Sequence, residues 1–116
     1  MKVIIAGGRE YADYDNLKEY CNKMFTHIME PIEIVSGKAR GADTLGELYA
    51  EEMGYPVAEF PADWDKFGKS AGYKRNSQMA EYADGLIAFW DGKSKGTGMM
   101  IELAREKGLK VRVCSI

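Results

Sequence analysis

Cysteine and histidine are scarce in this chain. Cys21, Cys114 and His27 are the only ones among 116 residues. One histidine and two distant cysteines give no zinc-ligand spacing, so no metal site is expected. Cys21, in a helix, and Cys114, in a strand, read as small buried hydrophobes rather than as a disulfide. No motif supports a Cys–His nucleophile pair. An excess of positive charge is missing too. Sixteen Lys and Arg stand against eighteen Asp and Glu, for a net charge of −2. No bulk charge therefore points to nucleic acid, although a local basic patch is compatible with these totals. Long apolar runs are also lacking. The opening MKVIIAGGRE carries one lysine and an apolar run too short for a signal peptide or a membrane span. The expectation is a soluble, cytoplasmic protein with no membrane partner. Repeats, low-complexity segments and linkers are absent, and the length suits one domain over residues 1–116.

What the chain does have is regular alternation. The run KVIIA, 2–6, ends at Gly7-Gly8 and suits a strand buried on both faces. Leu17, Cys21, Met24 and Ile28 recur at helical spacing from Asp15, read as N-cap, to Met29. IEIVSG, 32–37, is a second strand. Residues 42–53 form a second helix, with Gly54 as its stop. VAEF, 57–60, is a third strand, and 61–71 a polar loop with aromatics. YKRNSQMAEYA, 73–83, is a third helix and GLIAFW, 85–90, a fourth strand. Gly96 or Thr97 opens a fourth helix that ends at Gly108, and KVRVC, 110–114, is a fifth strand. This order predicts an α/β, Rossmann-like domain. Its five-stranded, mainly parallel sheet has the order 3-2-1-4-5, with helices on both faces. Ligands of such sheets bind beyond the C-terminal strand ends, where the order reverses. The segments there are Gly7-Gly8-Arg9, Ser36-Gly37 and Trp90-Asp91-Gly92.

Two familiar nucleotide motifs fail. Gly92-Lys93-Ser94 resembles the end of a P-loop, but the glycine required five residues earlier is Ile87. Strand one is followed by Gly7-Gly8-Arg9, not by G-x-G-x-x-G, which disfavours NAD-type binding; no cofactor is expected. Ser94-Lys95-Gly96-Thr97-Gly98 fares better. It leads into a helix whose unpaired N–H groups and dipole favour an anion, with Gly96 permitting close approach and Thr97 offering a hydroxyl or a local cap. Within VSGKARGADTLGELYA, 35–50, Ser36 and Gly37 are placed to meet a ligand, and Gly41 permits a tight helix start. Asp43 reads as a capping residue for the first-turn amides. Arg75 suits a phosphate or carboxylate, and Asn76 a base or ribose, unless both simply lie on a solvated face. Trp90 is either a base-stacking residue or part of the core. The aromatic loop 60–73 is a candidate lid or oligomer contact.

The segments AGGR, VSGKARGAD, RNSQMAEYAD and AFWDGKSKGT, taken in order over essentially the whole chain, resemble the YspA-like, cpYpsA-related branch of the SLOG superfamily. That resemblance implies a Rossmann-like fold and a nucleotide or nucleotide-derived ligand, in small proteins of bacteria and phages. Related LOG proteins are phosphoribohydrolases, and the related DNA-processing protein A family binds single-stranded DNA. SGKARGAD is similar to the DNA-processing Ser-Gly-x-Ala-x-Gly-x-Asp stretch, which implies Ser36, Gly37, Ala39 and Gly41 as ligand-loop residues. RNSQM is similar to the LOG Arg-x-x-x-Met segment, which implies a catalytic role for Arg75. KGTGMMIE is similar to the LOG phosphate loop, which implies Gly96 and Thr97. The LOG glutamates, however, are replaced by Met99 and Met100, and the first acid is Glu102.

The expected function is binding of a nucleotide-like small molecule at the C-terminal sheet edge, as sensor, carrier or sequestering protein. Its ligand residues are Gly7, Gly8, Arg9, Ser36, Gly37, Ala39, Gly41, Arg75, Asn76, Trp90, Gly96 and Thr97. The enzymatic alternative is hydrolysis of the N-glycosidic bond of a nucleoside 5′-monophosphate. In it Arg75 stabilises charge and Glu102 or Asp91 serves as acid or base. A single-stranded DNA module is a second alternative, but nucleic acid is not the expected partner. A homo-oligomer is expected because small domains of this resemblance complete their pockets at dimer interfaces.

Overall fold

A computed structural model describes residues 1–116. Five strands form one parallel sheet in the order β3-β2-β1-β4-β5: β1 Lys2–Gly7, β2 Glu33–Ser36, β3 Val57–Glu59, β4 Gly85–Trp90 and β5 Lys110–Ser115. The order reverses between β1 and β4, which pair from Val3 with Gly85 to Gly7 with Phe89. The predicted fold class and strand order are the observed ones.

Alternation along each central strand divides the core in two. Val3 and Ile5 of β1, with Ile87 and Phe89 of β4, face α1 (Tyr14–Phe25) and α2 (Ala42–Met53) and pack on Leu17, Cys21 and Tyr49. Ile4 and Ala6, with Leu86 and Ala88, face α4 (Ala71–Tyr82) and α5 (Lys95–Glu106) and pack on Met79, Met100 and Ile101. Burial on both faces is why these strands are continuous apolar runs. Each large side chain so buried contributes roughly 1.5–3 kcal/mol. Cys21 lies in the core and Cys114 on β5, both as free thiols.

Four of the predicted boundaries move. The cap of helix α1 lies two residues earlier, because Asp13, not Asp15, accepts the Asn16 amide at 3.0 Å. It ends at Phe25 rather than Met29, where Thr26 turns its hydroxyl back onto the Asn22 carbonyl; Met29 is 95% exposed. The predicted loop 61–71 contains α3 (Trp64–Phe67), started by Asp63 accepting the Lys66 amide, and a 3-10 turn at Gly68–Ser70 that feeds α4. Helix α5 starts at Lys95, with Ser94 in the capping position. No helix is long and apolar enough to cross a membrane.

Candidate functional site

Where the strand order reverses, the chain segments that follow the paired strands β1 and β4 part to opposite faces of the sheet and leave a cleft of about 320 Å³. Its floor is Ala6 and Gly7. Its walls are Arg9 from the β1–α1 loop, Ala39 and Asp43 from the α2 side, Arg75 and Asn76 from α4, and Ser94, Gly96 and Thr97 from the start of α5. Arg9, Ala39 and Arg75 also line a second cleft of about 420 Å³, which opens between residues 37–40 and 61–64. The two clefts therefore meet at a pair of guanidinium groups.

The segment joining β2 to α2 is fixed by its own polar groups. Ser36 donates its hydroxyl to Glu47 at 2.6 Å and accepts the Lys38 amide. The Lys38 ammonium bridges Glu47 at 2.9 Å and Glu59 at 3.0 Å. Those contacts hold Lys38 at a φ of 60°, a left-handed conformation costly for a side-chain-bearing residue. Gly41 has a φ of 80° and lies against the backbone of residues 8 and 9; a Cβ there would stand 2.3 Å from the Gly8 carbonyl oxygen. That carbonyl accepts the Ala42 amide, which ties the start of α2 to the end of β1.

Asp43 is 7% exposed, yet it lines the cleft. Its carboxylate accepts the Ala39 amide, upstream of the helix, and so stabilises the loop rather than the first-turn amides. Burial pushes its pKa up to about 6, against the opposing pull of the Ala39 amide and the Arg75 charge. Arg75 donates from Nη1 to the Gly37 carbonyl and from Nε to Asn76 at 2.9 Å. Its Nη2 has no partner in the protein. Burial lowers the Arg75 pKa, and Asp43 partly restores it. Gly37 lies between the two groups: a Cβ there would be 2.9 Å from both Arg75 Nη1 and Asp43 Oδ2. Arg9 makes no ion pair at all.

Helix α5 offers the third positive element. It has twelve residues, no acid in its first turn and no side-chain cap. The amides of Lys95, Gly96 and Thr97 have no partner within the protein; the first bonded amide is that of Gly98, to the Ser94 carbonyl. Nothing lies within 4 Å of the place a Gly96 side chain would occupy. Unpaired N–H groups at a helix start, lining one cleft with two guanidinium groups, give that cleft positive electrostatic character.

Not every predicted site residue joins this cleft. Gly8 and Asp91 line a neighbouring depression with Arg9. The Asp91 carboxylate accepts the Ser94 and Lys93 amides at 2.8 Å, and those bonds lower its pKa. Trp90 donates its indole N–H to the Ser94 carbonyl at 2.9 Å and packs on Gly98. Ser36, 1% exposed, faces Glu47, and Gly41 is covered by the residue 8–9 backbone. Glu102 lies on the exposed face of α5, outside both clefts. Conversely, Asp43 and Trp64 belong to the clefts although neither was singled out as a ligand residue. Asp43 carried a usable signal: an acid two residues after a glycine at a strand–helix junction points back into the junction.

Residues 1–67 match the family described as YspA, cpYpsA-related SLOG family. The "Gene 61 protein" of Mycobacterium phage D29 is 32% identical, over 95% of this chain and 93% of that protein. No solved structure matches the chain.

Proposed function

This chain belongs to the YspA, cpYpsA-related SLOG family, and from that premise we propose that it binds a nucleotide or nucleotide-derived small molecule at the C-terminal edge of its sheet. The observation that carries this reading is the convergence of Arg9, Arg75 and the unpaired amides of α5 on one cleft. A phosphate accepts from all three, and Asn76 and Thr97 supply polar contacts beside it. The test is mass spectrometry of what co-purifies, with a thermal-shift series of AMP, ADP and ribose 5-phosphate. A ligand at 100 times its dissociation constant stabilises the fold by about 2.7 kcal/mol, so binding raises the melting temperature measurably. No shift with any phosphate compound and no co-purified ligand would remove the proposal.

A second reading, hydrolysis of an N-glycosidic bond, is favoured by one feature. Asp43 is the one acid lining the cleft, and its pKa of about 6 suits proton exchange near neutrality. Arg75 beside it would stabilise developing negative charge. Release of free base and ribose 5-phosphate from AMP, lost in Asp43→Asn, supports this reading. Binding without release leaves a sensor, carrier or sequestering protein.

A further inference from the structure

We propose that Trp64 is the base-stacking residue of this protein, and that the ligand is a nucleotide with at least two phosphates lying across both clefts. This rests on the binding reading above and narrows it.

The argument begins with what the indole lacks. Trp64 opens α3 and is 52% exposed; its carbonyl accepts the Gly68 amide, but its indole has no hydrogen bond and no aromatic partner. Its ring edge lies over Gly72, at the start of α4, where a Cβ would come within 3.6 Å. Asp63 fixes the turn that presents it. A large apolar ring held in water by a capped turn, on the wall of a cleft, is available for a flat ligand group. Trp90 is not comparable, since its N–H and its ring face are already engaged by Ser94 and Gly98.

The neighbours of Trp64 define the rest of the ligand. Its cleft is also lined by Arg9, Lys38, Arg40 and Arg75, and by no acid. Lys38 is neutralised by Glu47 and Glu59, and Arg40 pairs with Glu10 at 3.2 Å. Arg9 is without a counter-ion, and Arg75 keeps Nη2 unpaired. These same two residues form the boundary with the first cleft, beyond which lies the start of α5. A ligand that stacks on Trp64 and places an anion on α5 must cross both guanidinium groups on the way. It therefore carries negative charge at two positions, as a nucleoside diphosphate does and a monophosphate does not.

Calorimetric titration of the full chain with ADP, AMP and pyrophosphate separates the parts. ADP should bind more tightly than both AMP and pyrophosphate. Trp64→Ala should weaken ADP roughly 5- to 100-fold, the range that loss of one base–aromatic stack spans. Pyrophosphate affinity should change less than about 2-fold, because Trp64 does not meet the phosphates. Trp64→Phe, which keeps a stacking face, should recover most of the ADP affinity. In a Trp90→Phe background, ADP should quench the remaining indole fluorescence. ADP affinity unchanged in Trp64→Ala, or AMP binding as tightly as ADP, overturns this inference while leaving the anion site standing. A short oligodeoxynucleotide bound far more tightly than ADP overturns it in favour of a single-stranded nucleic acid. Failure of pyrophosphate and ADP alike removes the binding reading together with it.

Discussion

Helices α2 and α5 both begin at the C-terminal edge of the sheet, on opposite faces of it, and the first turn of each lines the same cleft. Their starts differ in what already meets them. At α2 the first amide is bonded to the Gly8 carbonyl, Gly41 presses on the residue 8–9 backbone, and Asp43 sets a carboxylate in the first turn. At α5 three amides are free, no acid occupies the first turn, and the space around Gly96 is open. A helix start is an anion site only while the protein leaves it uncovered. One end here closes the fold, and the other is left uncovered, as the proposed binding reading requires.

The closed end should be the one that stability depends on. Gly41→Ala forces a side chain onto a φ of 80° and into the Gly8 carbonyl, a backbone atom that cannot swing away. The expected loss is roughly 3 kcal/mol, or about 10 °C in melting temperature for a domain of this size, read by thermal denaturation. A loss below about 1 kcal/mol would mean that the α2 start tolerates opening, and the contrast with α5 would weaken.

Asp43 tests the same end by pH. Its native pKa, raised to about 6, lies above the ordinary 3.8. The unfolded chain therefore gives up this proton first, and in the window from about pH 4 to 6 it binds fewer protons than the native state. The Asp43 contribution to stability is fully present below about pH 4 and is lost as pH rises through 6. Two pKa units correspond to about 2.7 kcal/mol as an upper figure. Asp43→Asn removes the titration while leaving an oxygen to accept the Ala39 amide. Urea denaturation at stepped pH should show wild type losing stability relative to Asp43→Asn across that window. Parallel curves would place Asp43 in a more solvated setting than its burial implies.

Arg75 joins the two ends, since it holds the Gly37 carbonyl on the α2 side and faces the start of α5. Arg75→Ala should cost roughly 10- to 100-fold in ADP affinity, the loss of a charge-assisted contact. Arg75→Lys should recover only part of it, because a lysine cannot both bond Gly37 and keep the planar fork turned to the ligand. Equal affinity in all three proteins, measured by calorimetry, would detach Arg75 from the site.

Much of this was legible in the amino-acid order. Strand runs such as VIIA and LIAF declare burial on both faces, and the alternation with helices fixes the parallel order and the place where it reverses. Arg75 and Gly96-Thr97 could be brought together from that order alone, and they line one cleft. Side-chain direction was not legible. Trp90 and Trp64 are both tryptophans near the ligand edge, yet one is bonded to Ser94 and the other stands free, a distinction made by the capped turn at Asp63. Ser36 reads as a ligand hydroxyl because its partner Glu47 lies eleven residues away, in the second turn of a helix whose sequence signal is its apolar stripe. Glu102 has the right chemistry on the wrong face of α5, which one helical rotation decides.

The smallest expected effect is the one that sharpens the contrast most. Gly96 is the second residue of α5, its φ is negative-side ordinary backbone, and nothing stands within 4 Å of a Cβ placed there. Gly96→Ala should therefore cost no strain, and the helix gains roughly 0.5–1 kcal/mol from replacing glycine. The same methyl group lies beside the free amides of the first turn and narrows the approach of a phosphate to them. A slightly higher melting temperature together with a several-fold weaker affinity for pyrophosphate is the expected pair of results. The two readouts move in opposite directions, so general damage to the fold cannot imitate them. Gly41→Ala would show the reverse emphasis, a large stability loss dominating any change in binding. If Gly96→Ala binds pyrophosphate as wild type does, the anion rests on Arg9 and Arg75 alone, and the open start of α5 is merely unfilled.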